Sequence, residues 1–293
     1  MKKILFEGCG TAIATPFDEN GVNLKEFERL VEDQINNKVD AIIVCGTTGE
    51  SSTMTEQEKL QTIECAVKTA NGKIPIIAGT GSNNTKAVIE MNKKVEALGV
   101  DGLLIVTPYY NKTTQAGLIQ HYKVIAENTS LPIILYNVPG RTGVNIKPET
   151  CLELSKIENI VAIKEASGDL SQVAEIANLC RDELTIYSGN DDQIVPILSV
   201  GGKGVISVLS NIEPKYTHDM CNKFFEGDIK TAAKMQVDAI PLVKALFSEV
   251  NPIPVKAALN MIGYNFGIPR LPLVEMSEKA KENLKKEIES FKK

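Results

Sequence analysis

Histidine is scarce in this 293-residue chain: only His121 and His218 occur. Two imidazoles are too few for a His-rich metal centre, so no metal is expected. The six cysteines, Cys9, Cys45, Cys65, Cys151, Cys180 and Cys221, form no C-x-x-C pair. In a chain this long they do not make a disulfide framework, and a reducing cytoplasm is the expected compartment. No apolar run approaches the roughly 20 residues of a membrane span. The short run Ile4-Leu5-Phe6 is cut by Glu7 and Gly8, so no secretory leader is expected. The net charge of −5 is spread along the chain without a basic stripe, so a nucleic-acid partner is not expected either.

What the chain does contain is alternation. Short β-branched runs occur at Thr11–Thr15, Ala41–Cys45, Ile74–Ala78, Leu103–Thr107, Ile133–Asn137, Val161–Glu165, Thr185–Ser188 and Gly204–Val208. Most recur at a spacing of roughly 30 residues, the length of one βα unit. Their apolar character suits strands covered on both faces. Between them lie amphipathic stretches. Val88, Met91, Val95 and Leu98 share one helical face, with Gly99 as a stop. Thr55 and Glu58 have the spacing of a capping box. Val39-Asp40-Ala41-Ile42-Ile43-Val44 echoes Val100-Asp101-Gly102-Leu103-Leu104-Ile105, as if one helix-to-strand joint were used twice.

After about residue 225 the strands stop. Lys230–Phe247, Pro254–Ile262 and Ser277–Phe291 read as helices. A (β/α)8 TIM barrel over residues 1–224 with a C-terminal helical domain over 225–293 accounts for the whole chain. A doubly wound open sheet also alternates β and α; eight units favour the barrel.

Lys164 stands out chemically, within Ile160-Val161-Ala162-Ile163-Lys164-Glu165-Ala166. Strand alternation sends Val161 and Ile163 toward the helices, and Ala162, Lys164 and Ala166 into the barrel. Burial disfavours an ammonium, and a partly neutral amine is what attack on a ketone needs. The alternative is a strand-end lysine reaching solvent or pairing with Glu165. Gly46-Thr47-Thr48-Gly49-Glu50-Ser51 follows the second strand, at the mouth where barrel active sites collect. Its hydroxyls and backbone N–H groups suit a small carboxylate, and it is equally a capped turn. The spacing and lysine of a P-loop are missing. Tyr136 near the end of the fifth strand can relay protons, and Arg141 can fork onto a carboxylate; the alternatives are a core tyrosine and a surface arginine. Tyr109 and Tyr110 adjoin on a loop, where one exposed ring marks an interface or a ligand wall. Gly79-Thr80-Gly81 lacks the third glycine of a dinucleotide fingerprint.

Taken in order over essentially the full chain, these motifs resemble the dihydrodipicolinate synthase and N-acetylneuraminate lyase superfamily. The residues that carry the resemblance are Gly46–Glu50, Thr107-Pro108-Tyr109-Tyr110, Tyr136-Asn137-Val138-Pro139-Gly140-Arg141-Thr142-Gly143, the Lys164 strand and Tyr187-Ser188-Gly189-Asn190-Asp191. Arg141, the double threonine and Tyr110 resemble the synthases rather than the lyases. The resemblance implies condensation of pyruvate with L-aspartate 4-semialdehyde in lysine and diaminopimelate biosynthesis. Pyruvate would be held covalently on Lys164 as an imine, with no metal and no diffusible cofactor. Tyr136, Thr47 and Tyr110 would form a proton relay, Tyr110 reaching in from another subunit of a homotetramer built as a dimer of dimers. Thr48, with backbone near Gly189 and Ile206, would bind the pyruvate carboxylate, and Arg141 would orient the second substrate. Lysine-inhibited relatives bind lysine near Ser51, Asn83 and Tyr109. Glu56, Lys59 and Ala87 depart from their pattern, which implies weak or absent lysine feedback here.

Overall fold

The computed structural model describes residues 2–291; Met1 and Lys292–Lys293, the outermost residues of the two expected domains, lie outside the described residues. Eight parallel strands close into a barrel: β1 (Gly8–Ala12), β2 (Ala41–Val44), β3 (Ile76–Gly79), β4 (Gly102–Val106), β5 (Ile133–Asn137), β6 (Ile160–Glu165), β7 (Thr185–Ser188) and β8 (Gly204–Ser207). Closure is made by β8 pairing with β1, Gly8 opposite Gly204 and Thr11 opposite Ser207. A doubly wound open sheet is thereby excluded, and the (β/α)8 expectation holds. Helices α1 (Leu24–Asn36), α2 (Glu56–Ala70), α3 (Thr85–Glu96) and α4 (Gln115–Ala126) cover the first half. The single turn α5 (Pro139–Thr142) follows β5. Then come α6 (Pro148–Ser155), α7 (Leu170–Cys180), α8 (Ile194–Ser199) and α9 (Pro214–Phe225). Beyond the barrel, α10 (Ile229–Leu246), α11 (Ile253–Met261) and α12 (Glu278–Phe291) pack on one another, each within a residue of its expected bounds. None of the described helices is long and apolar enough to cross a membrane. All six cysteines are free.

Local signals account for much of this. Thr55 caps α2 with a full capping box, its side chain accepting from the Glu58 N–H while Glu58 reaches back. Past the end of α3, Gly99 takes φ +83°, and its N–H donates to the Glu96 carbonyl at 3.1 Å. The repeated Val-Asp joint is real. Asp40 accepts from the Cys9 N–H at 2.7 Å and Asp101 from the Ile76 N–H at 2.9 Å. In each case the aspartate at the foot of one strand ties down the strand before it.

Two expectations need correction. The first strand is Gly8–Ala12, three residues before the Thr11–Thr15 run. Glycines rarely mark a strand, but Gly10 is required here: a Cβ would lie 2.7 Å from the Phe6 ring and 2.8 Å from Ile43. Second, Val161 does not face the helices. It joins the barrel interior with Ala162, Ile134 and Tyr136. The β5–β6 register slips between Ile133 and Ile134, so that Ile160 and Val161 together take the space of one residue and local alternation breaks. Beyond this irregularity the alternation resumes, Ile163 outward and Lys164 inward.

The interior is filled from below. Leu5 and Phe6 plug the floor, and Phe6 stacks on Tyr187 with ring centroids 4.2 Å apart. The apolar floor leaves the opposite, C-terminal mouth as the open end.

Candidate active site

Lys164 sits near the end of β6, 6% exposed, in a row of the barrel where Tyr136 on β5 and Tyr187 on β7 are its direct neighbours. Its Nζ lies 4.5 Å from the centroid of the Tyr136 ring, over the ring face. The pairing with Glu165 does not occur. Glu165 points the other way, and its carboxylate accepts from Asn137 Nδ2 (2.9 Å), Gln172 Nε2 (3.1 Å) and the Ser167 N–H (2.6 Å). Lys164 therefore has no ion pair among the described residues. A buried acid that feels its charge is Asp191. Burial raises the Asp191 carboxyl, while Ser207 Oγ at 2.5 Å and the N–H groups of Leu209 and Val208, both 3.0 Å, pull it back.

At the mouth lies a cavity of about 440 Å³ that reaches Tyr136 but is not lined by Lys164 or Thr48. It brings Thr47, Tyr136 and Arg141 together with Tyr109, Thr80 and Val138. Its walls are the loops after β2, β3, β4 and β5. Gly79 lets two of these loops meet, since a Cβ there would lie 2.4 Å from the Cys45 carbonyl oxygen. The glycine pair around Thr80 thus serves close packing at the mouth rather than a dinucleotide. The Gly46–Glu50 loop is bounded by two non-glycine residues in the left-handed region, Cys45 (φ 57°) and Glu50 (φ 53°). Such backbone persists only where the surroundings hold it.

Thr48 is buried, and its Oγ1 accepts from Asn251 Nδ2 at 3.1 Å. Arg141 donates through Nη2 to the Asn251 carbonyl at 3.2 Å. One asparagine from the segment before α11 thus links the threonine loop to the arginine. Sequence reasoning missed it, because a lone Asn before Pro252 reads as a loop residue. Its own Oδ1 is buried without a partner. Gly189 lies just after β7, and Ile206 lies on β8. The Gly189 N–H donates to the Glu165 carbonyl at 2.7 Å. Ile206 is fully buried in the interior beside Tyr187. Tyr110 is the outlier. It is 92% exposed with φ +69° and takes no part in the cavity wall.

One further residue escaped the sequence reading. Lys256 on α11 is fully buried and donates to Glu50 Oε1 at 2.7 Å. Burial draws its amine below the ordinary lysine range, and the adjacent Glu50 charge works against that. Among the described residues no group of three or more His, Cys, Asp or Glu could hold a metal ion.

A buried amine, a phenol across its row and hydroxyls at the rim are the kinds of group that covalent carbonyl chemistry uses. Comparison with known proteins shows the family. The 4-hydroxy-tetrahydrodipicolinate synthase 1 of Clostridium acetobutylicum is 55% identical over 287 residues, 98% of each chain. The crystal structure of dihydrodipicolinate synthase from Thermotoga maritima superimposes with a TM-score of 0.97 at 46% identity, over 99% of each chain. A structure described as a monomeric dihydrodipicolinate synthase variant gives 0.97 and 46% over 98% of this chain and 97% of that one. The model of the dihydrodipicolinate synthetase family matches residues 5–291, and the chain belongs to that family.

Proposed function

We propose that this barrel condenses pyruvate with L-aspartate 4-semialdehyde to 4-hydroxy-tetrahydrodipicolinate, with Lys164 as the nucleophile. The reaction is that of a Schiff-base lyase in lysine and diaminopimelate biosynthesis. The observation that carries it is the buried Lys164 amine, without an ion pair among the described residues, over the face of the Tyr136 ring that lines the cavity.

In the proposed sequence, Lys164 Nζ attacks the pyruvate ketone carbon, and loss of water gives an imine. The protonated imine draws electrons from the methyl carbon, which loses a proton to become an enamine. The enamine carbon adds to the aldehyde of the second substrate, whose oxygen takes a proton. The substrate amine then attacks the imine carbon and expels Lys164, closing the ring. Tyr136 moves protons in these steps, with Thr47 connecting it outward. Thr48 binds the pyruvate carboxylate with backbone near Gly189 and Ile206. Arg141, already anchored at the mouth, orients the carboxylate of the semialdehyde. The electron sink is the imine itself, so no further cofactor enters the scheme.

The exposure of Tyr110 supports a relay completed by a second copy of this chain. A homotetramer built as a dimer of dimers, residence in the cytoplasm and a division at residue 225 into a reacting barrel and a bracing helical domain belong to the same proposal. An active monomer in sedimentation would remove Tyr110 from the relay. The deciding experiment for the chemistry is mass spectrometry after borohydride reduction with pyruvate. A three-carbon adduct on Lys164 is expected; no adduct, or one on another lysine, overturns the reading.

A further inference from the structure

Glu50 closes the loop that carries Thr47 and Thr48, yet it does not line the cavity. Its carboxylate is held at both oxygens, Oε1 by Lys256 Nζ at 2.7 Å and Oε2 by the Arg270 N–H at 2.9 Å. Both Glu50 and Lys256 side chains are fully buried. The Lys256 ammonium also donates to the Ile268 carbonyl at 3.3 Å and lies 4.2 Å from the centre of the Phe17 ring. Four distant stretches of chain therefore converge on one carboxylate-ammonium contact behind the loop.

Such a contact is a poor choice if stability is the only need. Desolvating two charges costs about what their attraction returns, and a packed apolar pair of similar volume is often at least as stable. What the ion pair supplies is a fixed direction and length. The loop needs both, because Glu50 sits in the left-handed region at its exit and Cys45 at its entrance. Asn251, which leads into α11, grips Thr48 Oγ1 from the same side. The helix that carries Lys256 is thus continuous with the segment that touches the substrate-side hydroxyl.

We propose that Glu50 and Lys256 are positioning residues for the aldol reaction: from behind, they hold Thr47 and Thr48 in place relative to Lys164, with α11 as the clamp. This rests on the imine reading given above. A misplacement near 1 Å of a substrate-holding group costs up to about a hundredfold in rate.

Two variants test it, Glu50→Gln, which keeps shape and one acceptor, and the apolar double variant Glu50→Leu/Lys256→Met. Each is measured for Tm, for kcat/KM with pyruvate at saturating semialdehyde, and for the rate of borohydride trapping of pyruvate on Lys164. The expected result is a double variant melting within a few degrees of the parent, while trapping and kcat/KM fall by about tenfold to a hundredfold in both variants. A folded variant of either kind with trapping and kcat/KM within twofold of the parent overturns the proposal. Loss of the folded state in both assigns the pair to stability alone and overturns it equally. The parent enzyme is the control: if it is not trapped at Lys164 the imine reading itself fails, whereas a trapped parent with unaffected variants removes only the clamp.

Discussion

Replacing His121 by Asn should remove an acid-sensitive term from the stability of the barrel. His121 lies on α4 with its Nδ1 2.9 Å from Thr85 Oγ1 on α3. Its Nε2 is buried with no partner, and the ring packs edge-on against Tyr122 at 5.1 Å. The protonated ring carries an N–H on both nitrogens, the one on Nε2 with nothing to receive it, and burial lowers the imidazole from 6.5 to about 4. An unfolded chain takes up the proton near pH 6.5, the folded one only near 4. The contribution is complete above 6.5, is lost as pH falls toward 4 and changes no further below that. At 1.36 kcal/mol per pH unit, the loss between pH 7 and pH 5 is about 2 kcal/mol. Asn places an amide where Nδ1 was, so it keeps the bond to Thr85 and cannot titrate. Its smaller size costs stability equally at both pH values. Urea unfolding at pH 7 and pH 5, at one fixed protomer concentration because assembly also stabilises, gives four free energies. The parent should lose about 2 kcal/mol more than His121→Asn between the two pH values. Equal losses would show that His121 is not held neutral by its surroundings.

Three predictions concern the reaction. Tyr136→Phe should lower kcat by roughly 10²–10⁴, the usual share of general acid–base catalysis, and steady-state rates with both substrates decide it; an unchanged kcat takes Tyr136 out of the relay. Arg141→Ala should raise KM for L-aspartate 4-semialdehyde by about tenfold to a hundredfold, the worth of a charge-assisted bond, while pyruvate trapping stays near normal; a selective loss of pyruvate affinity would contradict its role. Lysine at millimolar concentration should leave the rate nearly unchanged. Glu56, Lys59 and Ala87 line the same cavity as Tyr109 and Ser51, Glu56 is already paired with Lys94 at 2.5 Å, and Ala87 offers no carboxylate to an incoming ammonium. Half-inhibition at that concentration would refute this.

Periodicity was enough to reveal the barrel, because eight apolar runs and their helices carry redundant signals. It failed where tertiary packing overrode local preference. Gly8–Ala12 is a strand through its pairing with β8 and β2, with Gly10 kept small because Phe6 and Ile43 leave no room for a side chain, and no propensity scale contains that information. Val161 faces inward because β5 and β6 slip by one residue, and a slip is a property of two strands. The same division runs through the site. Lys164, Tyr136, Thr47 and Arg141 lie at strand ends or in the loops just after them, where position alone points to the mouth. Asn251 and Lys256 lie far along the chain from the loop they hold, on a segment whose sequence reads only as helix and turn. Partners of that kind become visible only when the chain is folded.

On the proposed mechanism, the row that holds Lys164 also explains why one tyrosine would act and the other would not. Tyr136 and Tyr187 flank the lysine in register on either side, and composition alone makes them equivalent. Tyr187 is fully buried, stacks on Phe6 and donates its hydroxyl to the Phe6 carbonyl at 2.7 Å. Burial raises its phenol well above the ordinary range. Its proton is thus committed to the barrel floor, away from the substrate. Tyr136 forms part of the cavity wall, and its hydroxyl makes no bond to the protein among the described residues. The plug at the floor therefore separates two identical side chains, a phenol tied to Phe6 below and one facing the cavity above, the latter being the one proposed to move protons. Trimming Phe6, rather than altering either tyrosine, is the perturbation that would blur that division.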